Sequence, residues 1–149
     1  MITSPDFREL LSIFKNNKVQ YLIVGGYAVM FYTEPRYTKD IDIWISVKGD
    51  NPKRIFKSLK DFGAPLKDLS VEDFANEGYF YQMGRPPFRI DIMMSISGVD
   101  FESAWKRRNE VDIEGITISF ISRSDLIQVK KSCGRPQDLI DVQNLEKAE

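Results

Sequence analysis

Three aspartates in this chain sit where their side chains can act together. The stretch Asp40-Ile41-Asp42-Ile43-Trp44-Ile45 alternates strictly in character, the pattern of a strand with two unlike faces. Successive strand side chains point to opposite faces, so Asp40, Asp42 and Trp44 share one while Ile41, Ile43 and Ile45 share the other. Ile90-Asp91-Ile92 repeats the motif later in the chain. If the two segments are neighbours in register, three carboxylates converge over a floor of isoleucine. Same-face positions on one strand lie about 6.5–7 Å apart. Two bare carboxylates at that separation repel by roughly 2–3 kcal/mol at an effective dielectric of about 20. A divalent cation offsets this cost, and Mg²⁺ or Mn²⁺ takes oxygen ligands of this kind. Taken alone, an Asp-x-Asp also fits an exposed strand face of solvated acids. Here the acids are set in a tightly apolar stretch where a solvated edge would tolerate Thr, Lys or Ser.

Gly25-Gly26 follows an apolar run and precedes a second one. A tight turn there lets backbone approach a ligand closely, and a helix starting after it offers unpaired N–H groups to phosphate. A plain structural turn fits the pair equally. Neither Gly-x-x-x-x-Gly-Lys-Ser/Thr nor Gly-x-Gly-x-x-Gly occurs, so no P-loop or dinucleotide fingerprint is present.

The elements that must position these residues follow from periodicity. Phe7, Leu10, Leu11 and Phe14 fall at helical spacing over Pro5 to Phe14. Val19–Val24 reads as a buried strand, Tyr27–Tyr32 as a helix and Lys39–Val47 as the strand of the paired acids. Ile55, Phe56, Leu59 and Phe62 share a face of a helix over Asn51–Phe62, which Gly63 stops. Tyr79–Met83 and Phe88–Met94 read as strands joined through a turn at Gly84-Arg85-Pro86-Pro87. Phe101–Arg108 is a weak helix, with Lys106-Arg107-Arg108 as its solvated end. Ile116–Ile121 is a strand. A helix capped by Ser122 or Ser124 runs to Ser132, and Gln137–Ala148 forms the last one. The resulting α-β-α-β-α-β-β-α-β-α-α order predicts an α/β or α+β fold, a mixed sheet with helices packed on it.

Composition narrows the chemistry. A chain of 149 residues, 42% apolar and 29% charged, has the balance of one globular domain spanning 1–149. It contains no histidine and one cysteine, Cys133. Ser-His and Cys-His nucleophilic systems are therefore excluded, as are an intramolecular disulfide and a cysteine-based zinc site. Net charge is −1, which exerts no general pull on nucleic acid. The first residues carry no signal-peptide pattern, and no apolar run nears the ~20 residues of a membrane span. The expectation is a cytoplasmic protein without a membrane partner.

Taken together, the Gly25-Gly26 turn, Asp40-Ile41-Asp42 on the next strand and an isoleucine-flanked Asp91 on a later one resemble the DNA polymerase beta-type nucleotidyltransferase superfamily. With Arg36 and Thr38 just before the acids, the chain is most similar to the small bacterial branch that includes abortive-infection type nucleotidyltransferases. The resemblance is strongest over Tyr21–Val47, moderate at Arg89–Met93, and looser from Ser122 to Leu145.

The resemblance implies a nucleotidyltransferase-like fold and transfer of a nucleoside monophosphate from a nucleoside triphosphate, with release of pyrophosphate. Asp40, Asp42 and Asp91 would ligate Mg²⁺ or Mn²⁺ and carry the catalysis. Gly25, Gly26, Arg36, Thr38, Lys130 and Asp138 would serve nucleotide binding, Lys130 meeting the triphosphate and Asp138 acting as a supporting acid. The residues alone also allow Lys130 as a solvated helix residue, Asp138 as a first-turn acid favoured by the helix dipole, and Arg36 as surface. Trp44 is open to two roles, lining a nucleotide pocket or packing under a covering helix. The acceptor class stays open between tRNA, a protein hydroxyl and a small molecule, as does the oligomeric state. The rival reading is a non-catalytic nucleotide-binding or antitoxin-like module of the same fold.

Overall fold

The structure, a computed structural model, describes residues 4–35, 40–85 and 88–148. Its centre is a six-stranded mixed sheet of order β3-β4-β2-β1-β6-β5. The strands are β1 (Tyr21–Val24), β2 (Asp40–Ile45), β3 (Phe80–Arg85), β4 (Phe88–Met93), β5 (Asn109–Ile113) and β6 (Ile116–Phe120). Six helices connect and cover them: α1 (Pro5–Asn16), α2 (Gly25–Tyr32), α3 (Asn51–Phe62), α4 (Phe101–Lys106), α5 (Arg123–Cys133) and α6 (Pro136–Lys147).

β2 lies in the middle of the sheet because both of its faces can be covered. Ile41, Ile43 and Ile45 are fully buried in the core. On the other face Trp44 is buried against Phe101 of α4, ring centroids 5.0 Å apart and nearly perpendicular. Of the two roles open to Trp44, the structure shows packing under a helix. β2 pairs antiparallel with β1 and parallel with β4. Its register with β4 sets Asp40 beside Arg89, Asp42 beside Asp91 and Trp44 beside Met93.

Two elements are not legible in the sequence. β5 forms a hairpin with β6, turning through Glu114 and Gly115 at positive φ. Val71–Ala75 forms a short 3-10 turn capped by reciprocal Ser70–Asp73 hydrogen bonds. The Gly84–Pro87 turn needs partial correction: Gly84 and Arg85 belong to β3, paired with Arg89 and Phe88, and Pro86 and Pro87 lie outside the described residues. α2 begins at Gly25 rather than at Tyr27. The basic run after α4 is not simply solvated. Arg107 makes two hydrogen bonds to the Asp125 carboxylate, at 3.0 and 2.8 Å. Arg108 lies over the Trp105 ring and pairs with Glu110. No helix among the described residues is long and apolar enough to cross a membrane.

Candidate active site

The parallel pairing of β2 and β4 brings two acids from distant parts of the sequence side by side. Asp42 and Asp91 are direct neighbours in register, and their carboxyl groups share a hydrogen bond. Burial pushes the Asp42 carboxyl up to about 7, and the charges of Asp91 and Asp40 add to the rise. At neutral pH Asp42 therefore still holds a proton part of the time and donates it to Asp91. Lys130 opposes the shift. Asp40 is on the same face, two residues along β2.

Arg89 completes this face, and sequence reasoning missed it. Its guanidinium donates to Asp40 Oδ2 at 2.8 Å, and its Nη2 lies 3.4 Å from Asp91 Oδ2. The alternation that places Asp91 also places Arg89 on the same face, two residues earlier, so the signal for it lies in the sequence. Gln82 of β3, opposite Asp91, donates to its Oδ1 at 2.9 Å. Arg89 thus stands between Asp40 and Asp91 as a built-in counter-ion. Among the described residues no three acidic or thiol side chains close into a metal cage.

The glycine turn lies against these acids. Gly25 has φ +67°, the left-handed region, and a Cβ there would run into the Asp42 carboxylate. Both constraints require glycine at this position. Gly26 follows in the first turn of α2, whose N-cap has no side-chain partner. Gly25→Ala is expected to leave the core intact, at a cost of about 1–2 kcal/mol for the backbone alone. The added methyl group should also displace the Asp42 carboxylate. Thermal unfolding and the NMR shifts of Asp42 on the same preparation check the two parts.

Lys130 of α5 is neither free nor solvated. It is buried and held by Asp138 at 3.3 Å and Asp141 at 3.1 Å, both carboxylates being almost completely buried. Arg135 binds Asp138 as well, at 2.7 Å, and its hydrogen bonds hold the Asp138 carboxyl below its usual range. Asp138 is the N3 residue of α6 and accepts from the Arg135 backbone N–H, so the first-turn acid is also a partner of Lys130. Lys130→Met is expected to destabilise the protein by about 3 kcal/mol, because it removes the buried cation that Asp138 and Asp141 share. Adding Asp141→Asn should recover part of that loss in urea unfolding. Arg36 and Thr38 lie outside the described residues.

The family described as "Nucleotidyltransferase of unknown function (DUF6036)" matches residues 6–147, and the chain belongs to it. Among solved structures, the lincosamide antibiotic adenylyltransferase LnuA, lincomycin-bound, is similar at TM-score 0.61 and 18% identity, covering 98% of both chains. ANT(2")-Ia in complex with adenylyl-2"-tobramycin is similar at TM-score 0.55 and 13% identity, over 93% of this chain and 84% of that one. An antigenic nucleotidyltransferase-like protein from Paracoccidioides brasiliensis gives TM-score 0.54 and 18% identity, over 95% and 76%. At these identities the likeness establishes a nucleotidyltransferase-like fold, in keeping with the polymerase beta-type superfamily. No curated protein matches the chain.

Proposed function

We propose that this protein transfers a nucleoside monophosphate from a nucleoside triphosphate to an acceptor hydroxyl in a reaction that depends on a divalent metal. The observation that carries the reading is the pairing of Asp42 with Asp91 on a face closed at one end by the Gly25 turn. Here a backbone able to approach a phosphate abuts an acid pair in which burial and mutual repulsion raise the Asp42 carboxyl. The donor set, carboxylate oxygens only, suits Mg²⁺ or Mn²⁺. Asp40, Asp42 and Asp91 would hold the metal, provided Arg89 releases at least one carboxylate. The bound metal supplies charge stabilisation for the attacking and leaving oxygens.

The chain's own residues account for the remaining steps. The acceptor oxygen attacks the α-phosphorus, the bond from that phosphorus to the bridging oxygen breaks, and pyrophosphate leaves with the electron pair. Asp91 comes from a different strand than Asp40 and Asp42, so it is the acid placed to face the acceptor and take its proton. The Gly25-Gly26 backbone and the start of α2 bind the departing phosphates. Lys130, whose charge reaches Asp42 and whose place is fixed by Asp138 and Asp141, would meet the triphosphate. Adenylyl transfer by the structural neighbours to lincomycin- and tobramycin-type compounds supports a small-molecule acceptor over tRNA or a protein.

Arg89 favours a second reading. Its contacts with Asp40 and Asp91 offset acidic charge without any metal, as a non-catalytic nucleotide-binding module of the same fold would do. Calorimetry separates these readings from a purely structural domain. ATP is expected to bind with Mg²⁺ or Mn²⁺ present and to lose at least about tenfold in affinity with EDTA. Equal affinity in both buffers would remove the metal from the account.

A further inference from the structure

Asp42 and Asp91 open onto a cavity of about 390 Å³, walled also by Glu77, Tyr79, Phe80, Met93 and Ser95. The strand register builds this wall. Phe80 pairs with Met93, and Gln82 with Asp91. The Phe80 and Met93 side chains therefore stand on the face of the acids, one same-face step along from Asp91. Tyr79 and Phe80 are among the most exposed large apolar residues described, at 51% and 67%. Two exposed rings beside an acid pair offer an apolar surface that a ligand can cover.

The mount of these rings is fixed by hydrogen bonds. Ser95 Oγ donates to the Glu77 carbonyl at 2.7 Å, tying the turn before β3 to the end of β4. Within that turn the Gly78 and Tyr79 N–H groups donate to Asn76. The charge on the wall has one sign. Besides the two aspartates it carries Glu77, and among the described lining residues there is no Lys or Arg. Arg89, which shares this face, is held by Asp40 and Asp91.

A phosphate-bearing acceptor meets the wrong potential here, because nucleic-acid sites gather lysine and arginine around the backbone. An ammonium meets carboxylates and two exposed aromatic rings, whose π-systems can attract cations. We infer that the acceptor is a small hydroxylated compound with a cationic amine beside a flat apolar portion. The apolar portion sits against Tyr79, Phe80 and Met93, the amine turns towards Glu77, and the hydroxyl faces Asp91. This rests on the transferase reading, in which that hydroxyl oxygen takes the nucleoside monophosphate and pyrophosphate leaves.

Three probes of one shape test it in Mg²⁺ buffer: 2-amino-1-phenylethanol (cation), 1-phenylethanol (neutral) and mandelate (anion). Binding is read from NMR shifts of Tyr79, Phe80 and Met93, with an oligoribonucleotide ending in CCA as competitor. The amine should bind at least about tenfold tighter than mandelate, with the neutral alcohol between, and the oligoribonucleotide should leave these resonances unmoved. Glu77→Gln should bring amine and mandelate closer, and Tyr79→Ala with Phe80→Ala should weaken all three probes. Both changes are at exposed positions and should leave the fold intact.

Mandelate or the oligoribonucleotide binding as well as the amine would overturn the inference, as would shifts that map away from this wall. ATP binding is measured on the same samples. If ATP binds with Mg²⁺ while no probe moves the wall, the acceptor inference fails and the transferase reading stands. If ATP does not bind, the transferase reading and the acceptor inference that rests on it both fall, and any amine preference is then a property of the cleft alone.

Discussion

Asp42→Asn should abolish nucleotidyl transfer, by on the order of 10³-fold in kcat/KM, while making the metal-free protein more stable at pH 8. The two effects have one cause. Asp42 is the most crowded acid of the face, its carboxyl raised from 3.8 to about 7 by burial, then by Asp91 and Asp40. A raised carboxyl means that the folded state holds a proton the unfolded chain has already lost. Between pH ~4 and ~7 the unfolded state therefore gains relative to the folded one, and native stability falls as pH rises through that window. Above pH 7 the full cost is present, on the order of 2–4 kcal/mol. Asparagine carries no such charge, so the variant escapes the penalty and also loses the carboxylate proposed to hold the metal. Urea unfolding in EDTA at pH 5 and pH 8 should show the parent weaker at pH 8 and the variant much less changed. Mg²⁺ should stabilise the parent and not the variant. A variant that is less stable than the parent at pH 8 would mean that Asp42 is a structural acid.

Asp91→Asn is expected to separate binding from chemistry. Asparagine fills the same place between Gln82 and Arg89, and Asp40 and Asp42 remain on the neighbouring strand. Nucleotide affinity should stay within about tenfold, a change of ~1.4 kcal/mol. Transfer of label from an α-³²P nucleotide should fall by about 10²–10⁴, the range for loss of a positioned base. A variant that transfers label at the parental rate would move the proton acceptor to another group. Parental protein that binds nucleotide but labels no acceptor would favour the non-catalytic module.

The part of the site that lies within one strand is legible in the sequence alone. Asp40, Asp42 and the isoleucines between them specify their faces by alternation, and Asp91 repeats the rule on β4. The same rule covers Arg89, but alternation fixes only its face and not the carboxylates it meets across the strands. β5 escapes because Asn109-Glu110-Val111-Asp112-Ile113 is an edge strand with one apolar face and a polar outer one. Its pairing comes from the Glu114-Gly115 turn, where a non-glycine residue adopts positive φ.

The ion cluster of Lys130, Asp138 and Asp141 is only half visible in the sequence. The spacing on α6 puts the two acids on one side of that helix, but α5 and α6 meet through tertiary packing that no local pattern encodes. Strand order is likewise non-local. β1 joins β2 antiparallel and β6 parallel, and that choice is made by which faces the helices can bury.

The most direct test of the account is a crystal soaked with Mn²⁺ and an ATP analogue bearing a methylene bridge between the α and β phosphorus atoms. Anomalous scattering should locate manganese against the carboxylates of Asp40, Asp42 and Asp91, with Arg89 turned away from at least one of them. The phosphates should lie along the Gly25-Gly26 backbone. Nucleotide bound elsewhere, or Arg89 still bridging Asp40 and Asp91 with no manganese at Asp42, would contradict it.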